Sequence, residues 1–223
     1  MLFGDIREEL TALHHELFSY NLVAWSSGNI SIRDPETGCI VIKPSGVLYH
    51  QLTPESMVVL NEMGNILEGD LRPSVDTNSH LYIYRNRDDI HGIVHTHSTF
   101  ATAFAAVGKN IPVVLTSMAD QFGGPIPCSN YAAVGGEEIG KEVLKTIGNG
   151  NAVLLRQHGV FTVGKTGIDA VKSAVLLEDA AKTLFFASQL GELTEIPSQE
   201  VQRARNQYQN NYGQREAHNQ LPC

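Results

Sequence analysis

Apolar and polar positions along this chain switch between helical and strand periods, and the switches predict the order of its elements. Leu10, Leu13, Leu17 and Val23 follow Asp5 at near-helical spacing, which predicts an amphipathic first helix. Two short β segments come next, Asn29–Arg33 and residues 39–43, flanking Asp34-Pro35-Glu36-Thr37-Gly38, a run of turn formers that predicts a hairpin. Pro73 is placed to open a helix with Leu81, Ile83 and Tyr84 as its apolar surface, and residues 90–94 read as a strand. Beyond them the pattern predicts a helix over 101–107, a strand over 111–115, a helix over 136–147, a strand over 152–155 and a helix over 168–190. In the last, Val171, Val175, Leu176, Ala180 and Leu184 form a core-facing stripe. Strands mixed with helices imply an α/β protein with a central sheet covered by helices, and the hairpin argues against a fully parallel sheet.

The chain has 223 residues, and no linker, charge block or internal repeat divides it, so one domain over 1–223 is expected. Its formal net charge of −8 argues against a nucleic-acid surface. An anionic small substrate can still bind at a local site of backbone amides and one or two cations. Cys39, Cys128 and Cys223 are scattered and odd in number, which reads as reduced thiols of a cytoplasmic protein. The acidic start Met1-Leu2-Phe3-Gly4-Asp5 gives no sign of a secretory signal, and no apolar stretch is long enough to span a membrane.

Chemistry concentrates at the ends of the predicted strands. His95-Thr96-His97 closes the run 90–94, and side chains two apart on a strand share a face, so both imidazoles can reach one ion. A catalytic zinc takes three protein ligands and an open position, and His158, in Arg156-Gln157-His158-Gly159 after the strand at 152–155, is the candidate for the third. A bare His-x-His is equally compatible with two polar residues at a strand end; the matching His-Gly after a second strand favours metal. The loops Ser26-Ser27-Gly28-Asn29 and Lys43-Pro44-Ser45-Gly46 offer amides, hydroxyls and an ammonium to phosphate oxygens, and either alone also fits ordinary turn chemistry. Pro73-Ser74-Val75-Asp76 adds a hydroxyl and a carboxylate, and Asp76 can either cap a helix or face the metal. Asp120, beside Gly123-Gly124, reads alone as a solvated loop residue. Tyr212 lies in a polar tail with the composition of a disordered segment.

The ordered series Gly28-Asn29, Lys43-Pro44-Ser45-Gly46, Pro73-Ser74-Val75-Asp76, His95-Thr96-His97 and Gln157-His158-Gly159 resembles the class II aldolase/epimerase family, also called adducin-like, over nearly the whole chain. Asp76 in place of glutamate, Asp120 after Ala119, and Tyr212 in Tyr212-Gly213-Gln214 resemble its pentulose-phosphate 4-epimerase branch more than its aldolase branch. The resemblance implies a three-layer α/β/α sandwich around a mixed, largely antiparallel sheet. It implies a divalent ion, zinc or else manganese or cobalt, on His95, His97 and His158 with Asp76 close by. It further implies a phosphate site from Asn29, Lys43, Ser45, Gly46 and Ser74, and Asp120 and Tyr212 as proton carriers. A homotetramer with sites between subunits, and a tail from about residue 197 that closes the site, belong to the same expectation. Val75 departs from the family, which usually has a second serine there.

The activity so implied is interconversion of L-ribulose 5-phosphate and D-xylulose 5-phosphate by breaking and re-forming the C3–C4 bond. An aldolase cleaving a phosphorylated sugar such as L-fuculose 1-phosphate would use the same metal set, so the histidines do not separate the two. A β-lactamase-like metallohydrolase expects Asp and His soon after His-x-His, where Ser98-Thr99-Phe100 stands. An amidohydrolase barrel usually needs a longer chain. A non-enzymatic adducin-like interaction module would not be expected to keep all three histidines.

Overall fold

The computed structural model describes residues 1–212; Gly213, Gln214 and Cys223 lie outside them. The first helix, α1 (Gly4–Ser19), buries Leu10, Leu13 and Leu17. Val23 lies past its end, in the same core. The predicted hairpin is formed by β1 (Asn29–Arg33) and β2 (Ile40–Ile42), with Ser31 opposite Ile42. The Asp34 carboxylate closes its turn by accepting the Thr37 N–H at 2.9 Å. Two three-residue strands, β3 (Val58–Leu60) and β4 (Ile66–Glu68), extend the sheet beyond β2.

The next helix, α2 (Thr77–Asn86), begins past Pro73 rather than at it. Pro73 instead bridges Pro44, because the Ser45 N–H donates to Arg72 O at 2.8 Å and the Ser74 N–H to Lys43 O at 3.0 Å. Those bonds hold residues 72–74 extended against the loop after β2. The chain continues through β5 (Gly92–Thr96), α3 (Thr99–Ala106), α4 (Thr116–Phe122), α5 (Glu138–Ile147), β6 (Ala152–Leu155), β7 (Gly159–Gly164), α6 (Gly167–Leu190) and α7 (Ser198–Asn211). The apolar run 111–115 is not a strand. Ile111 makes one bridge, to Ile126, and Val113 and Leu115 pack with α3 and α4, so burial rather than pairing explains their hydrophobicity.

The sheet order is β4-β3-β2-β1-β5-β7-β6, and every ladder in it is antiparallel. The isolated bridge from Cys128 to Leu154 runs parallel. Alternation along the strands splits the core between two faces. Ile30, Ile32 and Val94 join the cluster under α1 and α6, whereas Ile93, Val153, Phe161 and Val163 join the one under α2 and α5. The result is a three-layer α/β/α sandwich. Each fully buried side chain of this size contributes about 1.5–3 kcal/mol of transfer free energy, so both faces are needed.

One seam is polar, and it positions the site. Asn29, Ser31 and Arg33 point from β1 towards α2 and are all buried. Asn29 Nδ2 donates to Asp76 Oδ2 at 2.7 Å, Ser31 Oγ lies 2.7 Å from His80 Nδ1, and Arg33 Nη1 donates to Tyr84 O at 2.9 Å. Two residues of strand advance about 6.6 Å and four of helix about 6 Å, so the two polar rows stay in step over three contacts.

Candidate functional site

The histidines converge because three strands end together. His95 is the fourth residue of β5 and pairs with Asn29 of β1 on one side and Phe161 of β7 on the other. His97 follows two residues later on the same face. His158 comes from the β6–β7 turn, where its N–H donates to Leu155 O at 3.0 Å. The left-handed residue of that turn is Gln157, with φ +58°, not Gly159. Gly159 is needed for space instead: a Cβ there would lie 2.5 Å from Thr96 O and 2.8 Å from His97 Cδ2, so glycine is what lets the two histidine-bearing segments meet. Gly28, with φ +76°, does the same on the other flank, where a Cβ would sit 2.8 Å from His95 O.

The ligand atoms of His95, His97 and His158 lie within 4.8 Å of one another. His95 Nδ1 is 2.9 Å from Val160 O and donates to it, which leaves the Nε2 lone pair free, 3.0 Å from His97 Nε2. Two nitrogens on a tetrahedral zinc at about 2.0–2.1 Å stand about 3.3 Å apart, close to what is seen. His158 Nδ1 is buried without a hydrogen-bond partner. Burial lowers the pKa of His95 to about 3 against the opposing pull of Asp76, and burial likewise lowers His97 and His158. Neutral imidazoles are the form that binds a metal, so the three residues fit a divalent ion by donor type, protonation and spacing.

Asp76 does not cap α2 with its side chain. Its carboxylate is held by Asn29 instead. Burial works against its charge, but His95, His80, the Asn29 hydrogen bond and His158 together keep its pKa below the usual carboxylate value. Lys43 is also buried; its ammonium donates to Ser26 O and Pro44 O, both at 3.2 Å, and no carboxylate among the described residues pairs with it. That burial lowers its pKa to about 8. A cation held by carbonyls and the face of the Tyr49 ring, with no carboxylate beside it, is disposed to take an anion.

One cleft of about 330 Å³ gathers these groups. Asn29, Lys43, Ser45, Gly46 and Ser74 line one part of it, and Asp76, His95, His97 and His158 line another. Ser26 and Ser27 complete the wall, as does Val134, for which the sequence carried no signal. Val75 lines the cleft with an apolar side chain. The loop before β1 is pinned from behind: Tyr49 Oη donates to Ser27 O at 2.7 Å, and the Ser27 N–H closes a turn on Ala24 O at 3.0 Å. The first central residue of that turn is Trp25, at φ +58° and 79% exposed, in a position that ordinarily favours glycine.

Asp120 and Tyr212 are brought together, but not to the histidines. Both line a second cleft, of about 620 Å³, between α4 and α7. Asp120 is on a helix rather than a loop. The polar tail is helical too, and Tyr212, just past α7, stacks on Tyr208 with ring centroids 4.3 Å apart. Lys172 Nζ donates to Tyr208 Oη at 2.8 Å. Arg205 Nη1 anchors α7 on the Asp120 and Gln121 carbonyls at 2.6 Å each.

A sandwich of this topology with three histidines at neighbouring strand ends defines a class. The class II aldolase and adducin N-terminal domain model matches residues 8–185, and the chain belongs to that family. Its structure is similar to that of an L-fuculose 1-phosphate aldolase, with 29% sequence identity and a TM-score of 0.89 over 94% of this chain and 98% of that one. It is also similar to L-fuculose-1-phosphate aldolase from Thermus thermophilus, with 26% identity and a TM-score of 0.72 over 81% and 93% of the two chains. YgbL from Escherichia coli, grouped as an aldolase/epimerase/decarboxylase, aligns with 27% identity and a TM-score of 0.81 over 91% and 98%.

Proposed function

We propose that this chain carries out divalent-metal-dependent retro-aldol and aldol chemistry on a sugar phosphate, and that its net reaction is epimerisation of L-ribulose 5-phosphate to D-xylulose 5-phosphate. The observation that carries this is the single cleft holding three neutral imidazoles, a carboxylate and an unpaired buried lysine. A divalent ion on His95, His97 and His158, zinc or else manganese or cobalt, would supply Lewis-acid polarisation of a carbonyl and its neighbouring hydroxyl. Asn29, Lys43, Ser45, Gly46 and Ser74 would hold the phosphate and so fix which carbon faces the histidines. Asp76, kept ionised by its surroundings, stands beside them.

Epimerisation at C4 breaks the C3–C4 bond, leaves its electron pair on C3, and takes a proton from the C4 hydroxyl as that carbon becomes an aldehyde. The fragment turns, the bond re-forms on its other face, and the proton returns. That cycle needs a proton carrier on each face, and Asp120 and Tyr212 are assigned as the pair. Their location in a second cleft fits a homotetramer in which the tail from about residue 197 of one subunit closes over the histidines of the next. A cytoplasmic location suits such a substrate.

Aldol cleavage is the second reading, favoured by the two L-fuculose 1-phosphate aldolases among the similar structures. The histidine cluster weighs against a purely adducin-like module. The test is to incubate metal-loaded protein with L-ribulose 5-phosphate and follow D-xylulose 5-phosphate and free glycolaldehyde phosphate. Epimer as the main product supports the proposal, fragments alone turn it to the aldolase reading, and neither product on any of the three metals overturns it.

A further inference from the structure

We propose that His80 is a positioning residue for the metal centre, acting through Asp76 by donating from Nε2 towards that carboxylate. The inference rests on the metal reading given above. His80 is fully buried, one turn along α2 from Asp76, and its ring packs edge-on against Phe161, which in turn packs against His95. Its Nδ1 is 2.7 Å from Ser31 Oγ, and its Nε2 is buried without a hydrogen-bond partner. Asn29 Oδ1 is likewise buried and unpartnered, although the same amide donates from Nδ2 to Asp76. One orphaned atom thus belongs to the amide that holds Asp76 and the other to a ring electrostatically coupled to that carboxylate, and an uncompensated buried polar group is costly.

The position of the proton on His80 follows from electrostatics. Tyr84 Oη lies 2.9 Å from both Ser31 O and Ser31 Oγ, so its single proton can serve either acceptor. If Ser31 Oγ gave its proton to Tyr84, it would accept from His80 Nδ1–H, and Nε2 would present a lone pair to an environment whose charge is Asp76. If Ser31 Oγ donates to Nδ1, the proton sits on Nε2 and its dipole favours the carboxylate. The second arrangement wins in a buried site, where such dipoles are weakly screened. The coupling between Asp76 and His80 is mutual: His80 lowers the pKa of Asp76, and Asp76 raises that of His80 against the stronger effect of burial. Burial lowers the His80 pKa to about 4 despite Asp76, so the ring is a neutral donor. Tyr84, Ser31 and His80 therefore form a donor chain directed towards Asp76. Groups of this kind orient metal-site carboxylates, and their loss typically costs about 10–100-fold in metal affinity.

The experiment is a Co(II) titration read by visible absorption, with the dissociation constant and band shape recorded for each variant. Glutamine places its amide nitrogen near the position of Nε2, whereas asparagine reaches only that of Nδ1. His80→Asn is expected to weaken Co(II) by about 10–100-fold. His80→Gln should stay within a few-fold of the parent. In an Asp76→Asn background the His80→Asn penalty should vanish, because His80 acts through that carboxylate. Ser31→Ala, which frees the tautomer without opening a large cavity, should weaken Co(II) in the same Asp76-dependent manner, and it carries the test if the His80 variants do not fold. Equal losses in the Gln and Asn variants, a penalty that persists undiminished without the Asp76 carboxylate, or no change in any variant overturns the inference. A parent protein that binds no Co(II) overturns the metal reading itself, and this inference with it.

Discussion

The two clefts are built by different means. The histidine cleft sits on strand ends, and its parts are fixed by the sheet register, by buried hydrogen bonds such as Asn29 to Asp76, and by glycines at 28 and 159 that admit close backbone approach. The Asp120–Tyr212 cleft lies between two helices, its tyrosine is 71% exposed, and its closest support is a stack on Tyr208 and the Arg205 anchor. The first is complete within one chain. The second sets Asp120 and the exposed Tyr212 along the open rim between α4 and α7, with far fewer buried contacts to fix them. Buried, register-fixed geometry is concentrated at the histidines and Lys43, and exposure at Tyr212.

The largest effect should come from breaking the first cleft. His95→Ala removes an imidazole on the inner strand β5, and bound metal should fall from about one ion per chain to near zero by elemental analysis, with activity following it. Asp120→Asn and Tyr212→Phe should keep the metal but lose about 10²–10⁴-fold in epimer interconversion, the usual worth of a general acid or base. Normal turnover in both would remove the second cleft from the reaction. Mixing His95→Ala subunits with Tyr212→Phe subunits sharpens the comparison further. If each site draws on two chains, exchanged hybrids should recover activity that neither parent shows, and failure to recover any after demonstrated exchange would place both clefts' work within one chain.

Smaller effects belong to the Lys43 side of the first cleft. Lys43→Ala should raise the Michaelis constant with turnover little changed, as loss of uniform binding does. The parent's affinity for phosphate should also depend on pH through this lysine. Its pKa is lowered to about 8, so the ammonium is present below that value and lost as pH rises through it, well before an exposed lysine would titrate. Phosphate binding followed by calorimetry from pH 7 to pH 9 should therefore weaken in the parent and stay flat in Lys43→Ala. The smallest change expected is a gain: Val75→Ser adds one hydroxyl to the cleft wall, and a single hydrogen bond of about 0.5–1.5 kcal/mol would tighten phosphate by roughly 2–12-fold.

Much of this is legible in the sequence, for reasons that also explain the misses. The β1–β2 hairpin, the β5 and β6 runs and the long α6 are written in periodicity and turn residues, and the cleft residues stand where strands stop. By contrast, β3 and β4 have only three residues each, too few to show a period, and β4 is half-exposed. The helix α4 is seven residues long, so Asp120 reads as a loop residue until Phe122 and Met118 are seen to pack. The polar α7 is legible only through its partners, since Val201 is its one buried side chain. The run 111–115 shows the opposite error, a strand-like composition whose buried residues serve packing. His80 reads in the sequence as a packing or surface residue, because nothing there reveals that β1 carries a polar row in step with α2.

Trp25 has a use as an instrument. It is the only tryptophan in the chain and stands exposed on the loop whose next two residues wall the cleft. Fluorescence excited selectively from tryptophan therefore comes from one exposed indole next to Ser26 and Ser27. An emission change on adding inorganic phosphate, a metal or a sugar phosphate reports from beside this cleft, without label or substitution. The same indole would also register the approach of a neighbouring subunit, so its dependence on protein concentration, measured without ligand, separates assembly from binding in a single cuvette.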